Sequence, residues 1–166
     1  MKLQKLISKL EKHHKKKLDL SLGRTFNLLK KLGDPQDKLK NVITVVGTNA
    51  KASMCYSLKS ILNQGGYKTN LYTSPHLLSY TERYVFEDKE INEEDLIELL
   101  TDVEKTLGDD NATLFEILTC AFLKYAENFK DNINIIEAAL FHQFDSTNVF
   151  KENLMTLIGC LLYTSP

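Results

Sequence analysis

The sequence predicts an α/β fold, a mostly parallel sheet with helices on both faces. Three observations carry this. Val42-Ile43-Thr44-Val45-Val46 is β-branched and almost wholly apolar, as suits a strand buried on both sides. A glycine-led loop and a helical pattern follow it and lead into a second short strand, the order of a βαβ unit with an expected right-handed crossover. Further on, Ile133 to Ile136 repeats the buried-strand pattern and ends at Glu137.

Leu3, Leu6, Ile7 and Leu10 fall at i, i+3, i+4 and i+7, one face of a helix. A second helix is expected roughly from Ser21 to Leu32, anchored by Phe26, Leu28, Leu29 and Leu32. Gly33 stops it and Pro35 follows. After the first strand and the loop from Gly47, a helix from about Lys51 to Gln64 turns Met54, Leu58, Ile61 and Leu62 inward, and Gly65-Gly66 closes it. Asn70-Leu71-Tyr72 is the next strand. Arg83 to Phe86 and Glu90-Ile91 flank a small hairpin turn. Asn92 is a good N-cap, and Glu93, Glu94 and Asp95 place negative charge where the helix dipole favours it. Thr113 and Glu116 have capping-box spacing ahead of a helix bearing Phe115, Leu118, Phe122, Leu123 and Tyr125. Leu154 to Ile158 begins a last strand.

The 166 residues suffice for one domain with a core. Hydrophobic residues at 43% and charged residues at 26% are ordinary for a soluble protein. A net charge of -1 supplies no field toward nucleic acid or an anionic membrane. The basic run His13 to Lys17 is local, a solvated helix end or a polyanion contact. No apolar run approaches the ~20 residues that span a bilayer. The N-terminus alternates Lys with Leu and lacks a signal-peptide core. Cys55, Cys120 and Cys160 have neither zinc nor disulfide-framework spacing, so reduced thiols and a cytoplasmic protein are expected. Residues 160–166 continue no pattern and resemble translated adaptor read-through, which makes the chain a truncated product on this expectation.

Gly47-Thr48-Asn49-Ala50-Lys51-Ala52-Ser53 joins a buried strand to a helix N-terminus. Free backbone N–H groups and the helix dipole bind phosphate at such a junction. A lysine at the mouth reaches β/γ-phosphates, and a serine two residues on offers a hydroxyl to Mg²⁺. The general GxxxxGK[ST] spacing is not met, since Val45 and Ala50 stand where its glycines belong. A plain βα turn with a solvated lysine is the other reading of these seven residues.

The surrounding strings give the loop a context. Val45 to Ser53 resembles the P-loop of the Mur-ligase superfamily, GTNGKGS in its folate branch. Leu71-Tyr72-Thr73-Ser74-Pro75-His76-Leu77 resembles the LYTSPHL loop of folylpolyglutamate and dihydrofolate synthases. Leu18 to Arg24 and Leu32 to Pro35 are similar to that family's N-terminal segment. Thr113 to Thr119 and Asp145 to Val149 resemble its TxFE-x-LT and DATN motifs. The motifs occur in the family's order. The resemblance implies a P-loop NTPase-like fold, the Mur-ligase central domain, over residues 41–159 and incomplete. An N-terminal helical segment, 1–40, precedes it, and the tail 160–166 is non-native.

The implied reaction is ATP-dependent. A carboxylate of dihydropteroate or folate is phosphorylated, and the acyl phosphate is attacked by the amine of L-glutamate. The resemblance makes residues 47–53 the ATP phosphate cradle, with Gly47, Thr48, Asn49, Ala50, Ala52 and Ser53 around Lys51, which also serves catalysis. Ser74, Glu137 and Ser53 become Mg²⁺ ligands. Arg83 would hold a substrate carboxylate, or else make a surface ion pair. Thr113, Phe115 and Asp145 would lie around the pterin, although Phe115 also suits a core and Asp145 also suits a turn cap before Asn148. His76 is expected to structure its loop, and His142 has no partner at ligand spacing. A monomer without nucleic-acid or membrane partners is expected.

Departures from the pattern are specific. Ala50 replaces the glycine before the lysine, at a cost of about 1–2 kcal/mol if that position needs positive φ. Ala52 replaces another glycine in a helical turn, where alanine is at home. Glu137 to Gln143 stands where the family has E-V-G-L-G-G-R. The family's metal-binding histidine, modified lysine and C-terminal domain would lie beyond residue 166, so the isolated chain is expected to be inert. The alternatives are a non-catalytic nucleotide-binding pseudoenzyme of the Mur-ligase fold and another Mur-type ligase.

Overall fold

The computed structural model describes residues 2–13, 22–139 and 142–159. The run His14 to Lys17, the motif residues Leu18 to Ser21, Leu140-Phe141 and the tail 160–166 lie outside them.

Two helices, α1 (Lys2–His13) and α2 (Gly23–Lys31), precede strand β1 (Val42–Val46). Helix α3 (Lys51–Gln64) and β2 (Thr69–Tyr72) follow, then the hairpin β3 (Tyr84–Phe86) and β4 (Lys89–Glu90). Helices α4 (Glu93–Leu107) and α5 (Leu114–Ala126) lead to β5 (Ile133–Glu137) and β6 (Met155–Ile158). The six strands form one sheet in the order β4-β3-β2-β5-β1-β6. β2, β5, β1 and β6 run parallel, and the hairpin adds an antiparallel edge. β5 lies between β1 and β2, so its C-terminal Glu137 pairs in register with Val45, two residues before the loop at Gly47.

Successive strand residues enter opposite cores, as the pleat requires. Val45, Leu71, Val85 and Ile135 pack with Cys55 and with Met54, Leu58 and Leu62 of α3. Val42, Tyr72, Tyr84, Phe86 and Ile136 face the other way, into a larger core with α1, α2, α4 and α5. The α/β sheet with helices on both faces is therefore the observed fold. At its centre the Phe122 ring packs on Tyr72, Tyr84 and Phe86 at centroid distances of 4.9, 6.2 and 5.4 Å.

Two inward assignments are corrected. Ile61 is 67% exposed, because the buried stripe of α3 runs through Met54, Cys55, Leu58 and Leu62. Phe26 is 43% exposed, and the smaller Thr25 takes the inward place, where the Cys120 thiol approaches its carbonyl. In α2 the bulkier phenyl ring is left outside, while in α3 Ile61 differs from the buried Leu58 and Leu62 in helical position and not in size.

Candidate functional site

The loop after β1 turns on a close approach. Gly47 has φ 147, and a Cβ there would meet the Gly159 backbone at 3.0 Å, so a side chain does not fit. Ala50 is the N-cap of α3, at φ 64 and ψ 8, in the left-handed region. The position that the family fills with glycine does need positive φ, and alanine holds it at a strain of about 1–2 kcal/mol. No side chain caps α3. Among the described residues, the amides of its first turn, at Lys51, Ala52 and Ser53, thus have no intrahelical acceptor and no cap from the alanine at the N-cap. Thr48, Asn49, Ala52 and Ser53 are exposed beside them. Lys51 bends back, and its Nζ donates to the Gly47 carbonyl at 3.0 Å.

Glu137 ends β5 beside this loop and is only 3% exposed. Its Oε2 accepts the Ser74 N–H at 2.9 Å. Burial raises the Glu137 carboxyl above its ordinary pKa, while the Ser74 N–H, Lys51 and Arg83 oppose the rise. Cys55, one turn into α3, is pushed up to about 12 by burial and then by Glu137, so its thiol stays protonated.

The segment after β2 folds on itself around Glu82. That carboxylate accepts the N–H groups of Leu77, Leu78 and Ser79 at 2.8, 2.7 and 2.6 Å, which holds it below the usual carboxylate range. The Ser74-Pro75 peptide is cis. Arg83 donates from Nε to His76 Nδ1 at 2.9 Å, and its guanidinium lies 5.1 Å from the Tyr80 ring centroid. Burial and then Arg83 hold His76 below its ordinary pKa, against a smaller opposing effect of Glu82.

At the start of α5 the expected capping box is present. Thr113 Oγ1 accepts the Glu116 N–H at 3.2 Å, and Glu116 accepts the Thr113 N–H at 2.5 Å. Glu116 is buried and also takes Arg24 Nε and Nη2, at 3.2 and 3.0 Å. The helix start that carries Phe115 is thereby tied to α2. Asp145 is buried too. Its Oδ2 accepts the Ala139 N–H and its Oδ1 the Thr147 N–H at 3.0 Å, and its carbonyl takes the Asn148 N–H at 2.8 Å.

These elements meet at an open cleft of about 360 Å³, walled by Lys51, Ser74, Pro75, Arg83, Phe115 and Ala139. The structure thus brings Lys51, Ser74, Arg83 and Phe115 together. Glu137 joins the wall through the Ser74 N–H, and Asp145 through the Ala139 N–H. Among the described residues Ser53 and Thr113 are not part of it. Pro75 and Ala139 were not singled out in the sequence, since their chemistry gives no signal and only the fold puts them there. A larger groove of about 640 Å³ lies between α4 and α5, but its Lys124 is paired with Glu127 at 2.8 Å and none of the residues singled out in the sequence as site candidates lines it.

The cleft combines two cations, a helix N-terminus and one buried carboxylate, so it suits an anion together with a small hard cation. Among the described residues no three His, Cys, Asp or Glu side chains cluster as a metal cage. One carboxylate, Glu137, held against the Ser74 backbone nevertheless fits Mg²⁺, which takes most of its ligands from water and phosphate.

No protein-family model matches the chain. The dihydrofolate synthase/folylpolyglutamate synthase of Escherichia coli (strain K12) is 35% identical over 156 residues, 94% of this chain and 37% of that protein. The structure matches E. coli FolC in complex with DHPP and ADP at a TM-score of 0.86 and 33% identity, over 94% of this chain and 37% of that one. It matches the Yersinia pestis bifunctional folylpolyglutamate synthase/dihydrofolate synthase complexed with AMPPNP and Mn ion at a TM-score of 0.86 and 31% identity, over 94% and 38%. The chain spans little more than a third of the length of these relatives. Sequence identity across nearly its whole extent, on the same backbone, places this chain in the dihydrofolate synthase/folylpolyglutamate synthase family.

Proposed function

We propose that the chain carries the ATP-phosphate and acyl-substrate side of an ATP-dependent ligase that joins L-glutamate to dihydropteroate or a folate. The observation that carries this reading is the convergence of Lys51, Ser74, Arg83 and Phe115 on one cleft beside the uncapped start of α3. Relatives of this backbone hold ADP with DHPP, or AMPPNP with Mn.

In the proposed reaction the substrate carboxylate attacks the γ-phosphorus of ATP, ADP leaves, and the glutamate amine displaces phosphate from the acyl phosphate. The amides from Gly47 to Ser53 cradle the phosphates. Lys51 exchanges the Gly47 carbonyl for a phosphate oxygen, so that both partners of the contact carry charge. Ser74 and Glu137, with Ser53 reaching in from the first turn of α3 beside the cleft wall, would hold Mg²⁺, which would supply charge neutralisation of the transferring group. Arg83 takes the substrate carboxylate. Phe115 offers a face to the pterin, and Thr113 and Asp145 fix the backbone around it. The reading includes a monomer without nucleic-acid or membrane partners. No described helix is long and apolar enough to cross a membrane.

Calorimetric titration of the chain with Mg·ADP tests the phosphate site. Lys51→Ala should bind at least tenfold more weakly, about 1.4 kcal/mol. Equal affinity of the two proteins would remove Lys51 from the site, and no affinity in either would sink the nucleotide reading.

A further inference from the structure

His76 stands in the same loop as Ser74 but is not among the walls of the cleft, and the reading above gives it no part. Among the described residues its ring meets Arg83 and Tyr80. Arg83 Nε donates to its Nδ1 at 2.9 Å. Its ring packs on Tyr80 at 4.1 Å between centroids, and the same Tyr80 ring supports the Arg83 guanidinium at 5.1 Å. The loop that carries His76 is pinned by the three amides on Glu82, and the backbone is closed by the Thr73 N–H on the Arg83 carbonyl at 3.3 Å. Among the described residues Nε is the only guanidinium nitrogen of Arg83 with a hydrogen-bond partner.

An imidazole that accepts at Nδ1 carries its proton on Nε2. A guanidinium held through Nε on one side and by an aromatic face below keeps its two terminal nitrogens parallel and forward, the fork that grips a carboxylate. We propose that His76 is a positioning residue: with Tyr80 it fixes the Arg83 guanidinium so that its terminal fork faces the Lys51–Ser74–Phe115 cleft and receives the carboxylate of an aromatic acid. The step rests on the proposed role of Arg83, and Phe115 in the same wall favours an aromatic acid over an aliphatic one. The long, flexible arginine side chain would otherwise lose rotamer freedom on binding, and the clamp removes that loss in advance.

Nitrogen NMR of the chain tests the clamp directly. In the unsubstituted protein a scalar coupling between Arg83 Nε and His76 Nδ1 is expected, and its absence overturns the assignment without any variant. His76→Phe keeps a ring against Tyr80 but removes the acceptor, so the Arg83 Nε order parameter should fall from about 0.85 to below about 0.6. His76→Asn restores an acceptor oxygen near the place of Nδ1 and should restore the order. An Arg83 equally ordered in His76→Phe overturns the proposal. Benzoate is the ligand probe: its affinity should drop about tenfold in His76→Phe and recover in His76→Asn. If benzoate fails to bind the unsubstituted chain while the coupling is present, the clamp stands and the carboxylate role of Arg83 falls.

Discussion

The two ends of the parallel strands bury polar groups for opposite purposes. At the N-terminal end Asn70, Asn132 and Asn134 are buried and satisfy one another. Asn70 donates to Asn134 Oδ1 at 2.9 Å and to the Phe129 carbonyl at 3.3 Å, and it accepts from Asn132 at 3.0 Å. Asn134 donates to the Lys40 and Asn132 carbonyls at 2.9 and 3.2 Å. At the C-terminal end Glu137 is buried with its carboxyl pKa raised, Lys51 rests on a carbonyl, and Ala50 sits at φ 64. The amide network is closed and fixes the Asn70–Asn134 register between β2 and β5. The other end is left open-valenced and strained, as a site that must exchange partners with a ligand requires.

The largest effect is expected from opening the closed end. Asn70→Ala strands the side-chain oxygen of Asn134 and a side-chain N–H of Asn132 together, while the Phe129 carbonyl keeps the Asn132 backbone N–H at 3.0 Å. Unmet buried groups cost about 1–3 kcal/mol each, and partial relaxation leaves a loss of about 3 kcal/mol in urea unfolding. Mg·ADP affinity should be unchanged in the same protein, because the network lies at the far end of the strands. A parallel fall in affinity would break the separation of the two ends.

A smaller effect, of opposite sign, is expected at the open end. Burial favours protonated Glu137 in the folded state, so between its unfolded and folded pKa values the native chain binds more protons. The stabilising contribution is full below the ordinary carboxylate value and is lost as pH rises through the raised folded value. Glu137→Gln removes that loss. Its unfolding midpoint should exceed that of the parent at neutral pH, and the two should converge as the parent carboxyl protonates on acidification. Urea unfolding across pH 4 to 8 (about that range) reads this, and parallel pH profiles would mean that Glu137 is not desolvated.

The same contrast governs what could be read from the sequence. Local signals were legible: the β-branched run gave β1, Asn92 caps α4 by accepting the Asp95 N–H, and Thr113 with Glu116 forms both bonds of its capping box. Lys51, Ser74, Arg83 and Phe115 were also named from the sequence and share the cleft. Non-local choices were hidden. Nothing in β1 or β2 says that β5 inserts between them, and no local pattern pairs Arg24 with Glu116, although the pair ties two helices. The sequence points His76 to loop structure, but its partner Arg83 emerges only once the turn between them folds. The sequence leaves Asp145 open to ligand or turn-cap roles, and the two backbone N–H groups it accepts tie the Ala139 segment to its own turn.

The smallest effect concerns the strained residue itself. Ala50→Gly removes a left-handed penalty of about 1–2 kcal/mol, while glycine costs about 0.5–1 kcal/mol in the extra backbone entropy of the unfolded chain. The difference predicts a net gain of about 0.5 kcal/mol, seen as a small rise in the thermal midpoint. Mg·ADP affinity should stay constant, since the amides of the loop keep their directions when φ is unchanged. Ala50→Val should lose both stability and affinity, because a β-branched side chain is an outlier at positive φ and would turn the loop away from the start of α3. A lower midpoint for Ala50→Gly would mean that the position is not left-handed in solution. The strain would then leave the phosphate end of the sheet, and the contrast with the closed amide network would rest on Glu137 and Lys51 alone.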